Sequence, residues 1–232
     1  MNAVQAAVSA GFENISVDLI YGTPGESIED WKTSVTAAME LPVNHISAYA
    51  LIVERGTKLA AQIARGKFSL PDDDETADKY LIADDAFESA GFSWYELSNW
   101  SKPDGECRHN IAYWDGSNWW GVGPGAHSYV DKKRWWNVKH PSSYQQKIFR
   151  SESPELSSEI LTGENLADEF VMLQIRRREG IQLTALSDLQ KKRAELFLGS
   201  GHLEEKSWSE NKLVLSKSGR LIADRIVREL VM

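Results

Sequence analysis

The 232-residue chain is acidic, with 26 Lys and Arg residues against 34 Asp and Glu residues and a formal net charge of −8 at pH 7. This balance argues against broad nucleic-acid binding, which needs basic surface to meet phosphates. Its 42% hydrophobic content suffices for a core, and no apolar run is long enough to predict a membrane span. The single cysteine excludes an internal disulfide and fits a cytoplasmic protein.

Strands and helices alternate through the first hundred residues. An apolar, β-branched segment predicts a buried strand at 15–21, closed by turn-forming glycine and proline residues. Ser27 is the predicted N-cap of the helix that follows, and Asp30 completes a short-armed capping box. The further predicted elements are a strand at 45–53, a helix from Asp73 or Asp74 to Gly91, and a strand at 92–97. This β-α-β-α-β order predicts parallel strands joined by helical crossovers.

Asp18 stands inside the otherwise apolar first strand, where a carboxylate is unexpected. Aspartate is depleted in strands and is costly to bury without partners. If this strand belonged to a (β/α) barrel, Asp18 near its carboxyl end would reach the face at which barrel active sites form. The alternative is an aspartate bonded to the loop at Gly22, and the residues themselves leave both interpretations open.

The segment from Cys107 to Ser128, CRHNIAYWDGSNWWGVGPGAHS, combines histidines, a cysteine, tryptophans and a glycine-rich loop. Neutral imidazole can bind iron, and indole and phenol rings can cover a macrocycle, so this composition suits a pocket for a metalloporphyrin. Composition alone favours the plainer interpretation of core aromatics and a hydrogen-bonded histidine. The Gly121–Gly125 loop departs from nucleotide-binding spacing and predicts a tight turn that carries His127 into the pocket. Cys107 is a buried thiol, an iron ligand or a reactive surface thiol.

The composition changes near residue 151, where the polar segment 151–159 predicts a linker. The elements predicted beyond it are helices at 164–177 and 183–199, strands at 203–206 and 212–216, and a terminal helix at 218–230. Helices followed by a hairpin are typical of a winged-helix-like module. Basic clusters at 176–178 and 191–193 are offset by nearby acids, so we interpret them as a solvated face or a protein contact rather than a DNA-binding surface.

Six segments resemble one known family in their order along the chain. HNIAYW (His109–Trp114) is similar to an HNxxYW signature, and GVGPGAHS (Gly121–Ser128) is similar to a GLGPGAHS loop. The other four segments are VDLIYGTPGES (17–27), ISAYAL (46–51), YELSNW (95–100) and RWWNVKHP (134–141). Together they identify the chain as a member of the HemW-like heme chaperones, which belong to the oxygen-independent coproporphyrinogen III oxidase family of radical S-adenosylmethionine (SAM) proteins.

The resemblance implies an α/β fold with two domains. Residues 1–150 would form the C-terminal part of a radical SAM TIM-like (β/α) partial barrel with a heme-motif extension. Residues 151–232 would form a HemN-type winged-helix-like domain.

The resemblance also implies two binding sites and no catalytic residue. The implied heme-binding residues are His109, Asn110, Tyr113, Trp114 and His127. His109 would ligate the heme iron, and Asn110 would orient its imidazole. The implied SAM-binding residues are Asp18, Tyr21 and Gly22.

The family's CxxxCxxC triad, which holds a [4Fe–4S] cluster, has no counterpart here. One thiol cannot hold such a cluster, so we expect this chain alone to be catalytically inactive. Its opening NAVQAAVSAGFENI resembles the end of a helix entering a barrel strand. We therefore expect the C-terminal portion of a longer protein, with an N-terminal barrel segment or chain as a partner.

The function predicted is a heme chaperone that binds heme and transfers it to acceptor apoproteins, without nucleic acid. One alternative is a porphyrin-biosynthesis enzyme of the coproporphyrinogen oxidase type. Another is a split-gene module that docks on a separate N-terminal chain. The HNxxYW motif favours the chaperone, while peripheral membrane association cannot be read from the sequence.

Overall fold

The computed structural model describes residues 2–232. The chain forms two compact units, one ending at Cys107 and the other running from Arg108 to Met232. The domains predicted at 1–150 and 151–232 from the family resemblance stay a prediction. No helix among residues 2–232 is long and apolar enough to cross a membrane.

The first unit alternates helices with the strands of a four-stranded sheet. Its elements are α1 (Asn2–Ser9), β1 (Ser16–Tyr21), α2 (Ile28–Met39), β2 (His45–Ala50), α3 (Lys58–Ala64), α4 (Asp73–Ser89), β3 (Ser93–Glu96) and β4 (Asn99–Ser101). The capping box predicted for α2 is confirmed, since Ser27 and Asp30 bond each other's backbone amides. Helix α4 begins at Asp73, as predicted, and Asp72 is its N-cap.

The sheet order is β1-β2-β4-β3. Strands β1 and β2 are parallel, as predicted, with Asp18 opposite Ser47. Strand β4 is antiparallel to both of its neighbours, so β3 runs in the predicted direction but is not adjacent to β2. The sequence pattern did not predict β4 because three residues are too short to show a period of two.

The core of this unit lies on one face of the sheet. Helices α2 and α4 pack there around buried aromatic residues, among them Trp31, Phe87 and Trp100. The prediction that β1 is buried is wrong, because Ser16, Asp18 and Ile20 alternate along the other face and are exposed. A strand covered on one side only alternates in burial, whereas apolar composition alone suggested cover on both sides.

The second unit begins with the HNIAYW segment. Its elements are α5 (Arg108–Trp114), β5 (His127–Val130), β6 (Lys133–Asn137), α6 (Pro141–Phe149), β7 (Glu155–Ile160), α7 (Gly163–Gln174), β8 (Ile181–Gln182), a 3-10 turn (Leu183–Ala185), α8 (Asp188–Gly199), α9 (Glu205–Ser209), β9 (Lys212–Leu213), α10 (Lys217–Leu221) and α11 (Ala223–Val231).

Strands β5, β6 and β7 form an antiparallel sheet in that order. The linker predicted at 151–159 is therefore wrong, because Glu155–Ile160 is the strand β7, with Ser158 opposite Trp135. Most β7 side chains are exposed. Their polarity reflects an edge strand facing solvent, which composition cannot distinguish from a linker.

The last part of the chain has the winged-helix-like character that was predicted, with helices α7, α8 and α11 packed together. The predicted hairpin is wrong in detail, because residues 205–209 are helical and β9 pairs with β8 instead. Leu203 forms only an isolated bridge with Leu215. The predicted terminal helix is divided at Ile222 into α10 and α11.

Candidate functional site

The HNIAYW segment lies in the short helix α5, an element that the sequence pattern did not predict. His109 and Tyr113 are four residues apart, so they share one face of the helix. The Nε2 atom of His109 lies 3.1 Å from the Tyr113 hydroxyl, and the two rings meet edge to face at 4.9 Å. His109 is exposed, while Asn110 is half-buried. The structure therefore presents the His109 imidazole to solvent and orients it through Tyr113.

A row of aromatic rings continues from α5 onto the sheet. The Tyr113 ring meets the Trp119 ring edge to face at 5.0 Å. Trp119 pairs with Tyr129 of β5 through backbone hydrogen bonds of 2.7 and 2.8 Å, which extends the sheet by one bridge. Paired residues in a sheet direct their side chains to the same face, so Trp119 and Tyr129 share a face.

His127 stands at the other end of this row. It is two residues before Tyr129 in β5, so it lies on the same face of the sheet. Its ring stacks on Trp136, with centroids 5.7 Å apart and planes 27° apart, and its side chain is exposed. The two predicted histidines thus bracket one row of aromatic rings.

A cavity of about 310 Å³ lies beside this row. Its wall includes two predicted residues, Tyr113 and Trp114, but neither His109 nor His127 is among the described residues that line it. The other apolar residues of the wall are Trp119, Tyr129, Leu166, Phe170, Met172 and Leu173. The Nε1 atom of Trp114 is buried and has no hydrogen-bond partner among the described residues. Apolar walls with few polar groups are typical of ligand pockets, and this volume is at the low end of their range.

One charged group in this wall is firmly paired. Arg134 donates to both carboxylate oxygens of Glu169, at 2.9 and 2.7 Å, and to Glu159 at 3.1 Å. The Glu169 hydrogen bonds raise the pKa of Arg134, with burial opposing and Glu159 adding to the effect. Arg134 therefore stays cationic, and two carboxylates compensate its charge.

Helix α7 is the part of the pocket that sequence reasoning missed. The Gln174 side chain donates to the Trp114 carbonyl oxygen at 2.9 Å, and the Arg176 guanidinium lies over the Trp114 ring at 5.9 Å. The apolar stripe of α7 predicted a buried face, but a stripe does not indicate what it is buried against.

The glycine loop between α5 and β5 is a tight turn, with Gly123 at φ +111°. A Cβ atom on Gly121 would lie 1.8 Å from the His127 carbonyl oxygen, so only glycine fits that close approach. The turn delivers His127 to the start of β5 rather than into the cavity, which corrects the predicted placement.

Trp135 and Trp136 are adjacent in β6 and lie on different sides of its sheet. Successive residues of a strand point to opposite faces. Trp136 stacks on His127, whereas Trp135 meets Trp120 edge to face at 4.8 Å. These last two line a second cavity of about 490 Å³.

The predicted SAM residues also separate between two faces. Asp18 is exposed on the open face of the first sheet. Tyr21 is buried in the core against Trp31, at a ring distance of 5.1 Å, and burial raises its pKa to about 12. Gly22 has φ +77°, and its amide donates to Glu26 at 2.7 Å. The alternative in which Asp18 bonds the loop at Gly22 is therefore wrong.

His45 was not selected by any motif in the sequence. It lies opposite Ser16 in β1, with Nδ1 2.7 Å from the Ser16 hydroxyl and Nε2 2.7 Å from the Tyr95 hydroxyl. Burial lowers the pKa of His45, and Asp18 and Glu106 oppose that shift. A buried polar network thus lies beside Asp18, so this face of the sheet is open along β1 but covered at His45 and Tyr95.

A buried lysine holds the loop after β1. The Lys79 ammonium is 2% exposed and lies 3.1 Å from the Glu26 carboxylate and 2.7 Å from the Glu75 carboxylate. Burial alone would lower the pKa of Lys79, but the hydrogen bonds to Glu75 and Glu26 outweigh burial and raise it. Because Glu26 also binds the Gly22 amide, Lys79 fixes this loop through Glu26.

The side chains available as ligands fit heme but do not fit an iron–sulfur cluster. Exposed imidazoles and aromatic walls fit heme, whose iron accepts histidine nitrogen. An iron–sulfur cluster does not fit, because the chain contains one cysteine and that residue, Cys107, is exposed and free.

No protein-family model matches the chain, but individual relatives do. It is 47% identical over 229 residues to the heme chaperone HemW of Mycobacterium tuberculosis, covering 99% of this chain and 58% of that protein. The heme chaperone HemW of Bacillus subtilis is 30% identical over 227 residues, covering 96% of this chain and 60% of that protein.

The fold also matches a solved structure. The radical SAM enzyme HemN, coproporphyrinogen III oxidase of Escherichia coli, aligns with all of this chain and 58% of its own, at a TM-score of 0.76 and 17% identity. The predicted α/β radical SAM fold is thereby confirmed. The chain spans 58% of the length of the first relative. By sequence it is a relative of the HemW proteins.

Proposed function

We propose that this chain carries the heme-binding part of a heme chaperone, which binds heme and passes it to acceptor apoproteins. The observation that supports this most strongly is the row of aromatic rings between the exposed imidazoles of His109 and His127. Such a row offers flat apolar contact to a porphyrin and nitrogen ligands to its iron. HemW relatives named as heme chaperones support the same proposal.

His109 is the proposed iron ligand, and the structure suggests how it is oriented. The Tyr113 hydroxyl bonds the Nε2 atom of His109, so ligation through Nε2 would replace that hydrogen bond. Asn110 is still proposed to support the imidazole, while Tyr113 and Trp114 provide the wall. His127 is proposed to contact heme from the other end of the row, because it does not line the cavity.

The proposed SAM site consists of Asp18 and the backbone at Tyr21 and Gly22. The Tyr21 side chain faces the core, so only its backbone is proposed to contact SAM. When bound in the longer family members, SAM and a cluster would supply radical chemistry. The single cysteine gives no support to such chemistry in this chain, so a coproporphyrinogen oxidase activity is the weaker candidate.

The proposed partners are heme-accepting apoproteins and an N-terminal barrel segment. Within the first sheet, β1 pairs with β2 only, so its other edge is available for a strand. A cytoplasmic location is proposed on the single cysteine alone.

Hemin titration followed by the Soret band tests the proposed site. We expect the His109→Ala variant to bind hemin about tenfold or more weakly and with an altered spectrum, because the iron loses a nitrogen ligand. His140→Ala is the matched control, since His140 is exposed and its side chain makes no cap hydrogen bond. His45 is unsuitable as a control because it is buried and bonded at both nitrogens. An unchanged affinity and spectrum for His109→Ala would exclude His109 as the ligand.

A further inference from the structure

The cavity beside α5 lacks an available positive charge for an anionic ligand. The charged residues described in its wall are Arg134, Glu169 and Asp115. Two carboxylates already occupy the Arg134 guanidinium, so the wall as a whole is acidic. A ligand carboxylate would therefore be disfavoured inside this cavity.

Arg176 provides a cation just outside the wall. Its guanidinium lies 5.9 Å from the ring centroid of Trp114, and its Nε atom donates to the Met172 carbonyl oxygen at 3.0 Å. Both Trp114 and Met172 line the cavity. Contact with an aromatic face and a backbone hydrogen bond hold the planar guanidinium in one orientation at the edge of the pocket.

The present partner of Arg176 is an exchangeable carboxylate. The Nη2 atom of Arg176 lies 2.6 Å from Asp224, whose side chain is 77% exposed. Solvent weakens an ion pair with such an exposed partner. A ligand carboxylate can replace Asp224 without a change in the charge around the guanidinium, and Asp224 then returns to water.

A porphyrin of the heme type has apolar edges and one edge that carries two propionate groups. Because carboxylates are costly to bury, the propionate edge stays at the mouth while an apolar edge enters the aromatic cavity. This orientation brings a propionate to the side of the pocket where Arg176 lies. Guanidinium is the group best suited to bind a carboxylate through two hydrogen bonds.

We propose that Arg176 recognises a porphyrin propionate in exchange for Asp224, and so selects tetrapyrroles with free carboxylates. This inference rests on the proposed heme binding beside α5. It gives a binding role to one residue of the basic cluster 176–178, which the sequence analysis interpreted as a solvated face or a protein contact.

Three ligands separate this role from iron ligation. Hemin has both iron and carboxylates, metal-free protoporphyrin keeps only the carboxylates, and hemin dimethyl ester keeps only the iron. Each is titrated into the parent chain and its variants and followed by absorbance or tryptophan quenching. Far-UV circular dichroism checks that each variant is folded.

The Arg176→Gln variant is expected to bind hemin and protoporphyrin about tenfold more weakly, or about 1.4 kcal/mol, and to bind the dimethyl ester as the parent does. Asp224→Asn should bind hemin severalfold more tightly, because the competing carboxylate is gone, with no change for the ester. Arg178→Gln is the control of equal charge, since Arg178 is 42% exposed and 3.8 Å from Glu179.

Equal losses for hemin and its ester in Arg176→Gln would overturn the inference, because Arg176 would then only support Trp114. An unchanged affinity for hemin would overturn it as well. If Arg176→Gln does not fold, the Asp224→Asn result decides, and equal hemin affinity there counts against the exchange. The proposed iron ligation fails separately, when His109→Ala binds hemin as the parent does. A parent chain that binds none of the three ligands would overturn both.

Discussion

Single residues show why the five histidines of this chain could not be sorted by sequence alone. His45 and His109 each contact a tyrosine hydroxyl, yet His45 is buried and His109 is exposed. The HNxxYW resemblance selected His109, whereas nothing in the local pattern indicated that Ser16 and Tyr95 would enclose His45. Burial depends on which elements cover a residue, and that is a property of the tertiary fold.

The buried hydrogen bonds of His45 make it a stability residue. We expect His45→Ala to lower the free energy of unfolding by about 2–3 kcal/mol, because a buried side chain is lost and two hydroxyl groups lose a partner. Urea unfolding at neutral pH measures this. The His140→Ala variant should change stability by less than about 1 kcal/mol, and equal effects in both variants would contradict the role given to His45.

The lowered pKa of His45 also predicts a direction for the pH dependence of stability. Because the folded pKa lies below the unfolded value of about 6.5, the unfolded chain binds more protons between the two values. Stability should therefore fall as the pH drops below about 6.5 and level off below the folded pKa. Urea midpoints from pH 8 to pH 5 test this, with His45→Gln expected to lose part of the slope. If His45→Gln leaves the slope of stability against pH unchanged, groups other than His45 cause the pH dependence.

At the scale of elements, local signals predicted most helices well and strand partners poorly. The Ser27 capping box is a contact between residues three apart, so a short window contains it. The pairing of β4 with β2 joins residues more than fifty positions apart, such as Ser47 and Asn99, and no local pattern encodes such a contact. No helix was predicted over the HNIAYW segment, because the seven residues of α5 show too little periodicity.

The loop between β1 and α2 depends on a residue of α4. We expect Lys79→Met to destabilise the first unit by about 2–3 kcal/mol, because Glu26 then stays nearly buried without its cation. The effect is below that of a fully buried pair because Glu75 is 45% exposed. Urea unfolding of Lys79→Met and of Lys32→Met provides the comparison. Lys32 pairs with Glu29 at the surface, so its loss should have little effect, and equal losses would contradict the account.

At the scale of the whole molecule, the sequence predicted the fold class. It did not predict which apolar surfaces of the first sheet are exposed to solvent, and the structure identifies them. The open face of the first sheet exposes Ile20 at 56% and Tyr49 at 43%, and Ile52 beyond β2 is 74% exposed. Apolar side chains next to a strand edge promote association. The apolar composition predicted cover on both faces, which is confirmed for residues 45–48 of β2 and is wrong for β1.

We therefore expect the purified chain to dimerise or aggregate in a concentration-dependent way. Light scattering coupled to size exclusion measures the mass directly. Replacing Ile20 with Lys should reduce the association, because a charge on this face disfavours a second strand or sheet. Thr33→Lys, on the exposed side of α2, is the control. A sharp monomer at all concentrations would show that these surfaces do not associate.

Heme binding at the aromatic row beside α5 is the central claim, and nuclear magnetic resonance of the tryptophan indole groups tests it most directly. Ferric heme is paramagnetic and broadens the signals of nearby protons. On adding one equivalent of hemin, the signals of Trp114 and Trp119 should broaden beyond detection. Those of Trp120 and Trp135, which line the second cavity, should broaden less. Broadening of Trp120 and Trp135 with Trp114 and Trp119 unaffected would place the heme in the second cavity and contradict the account.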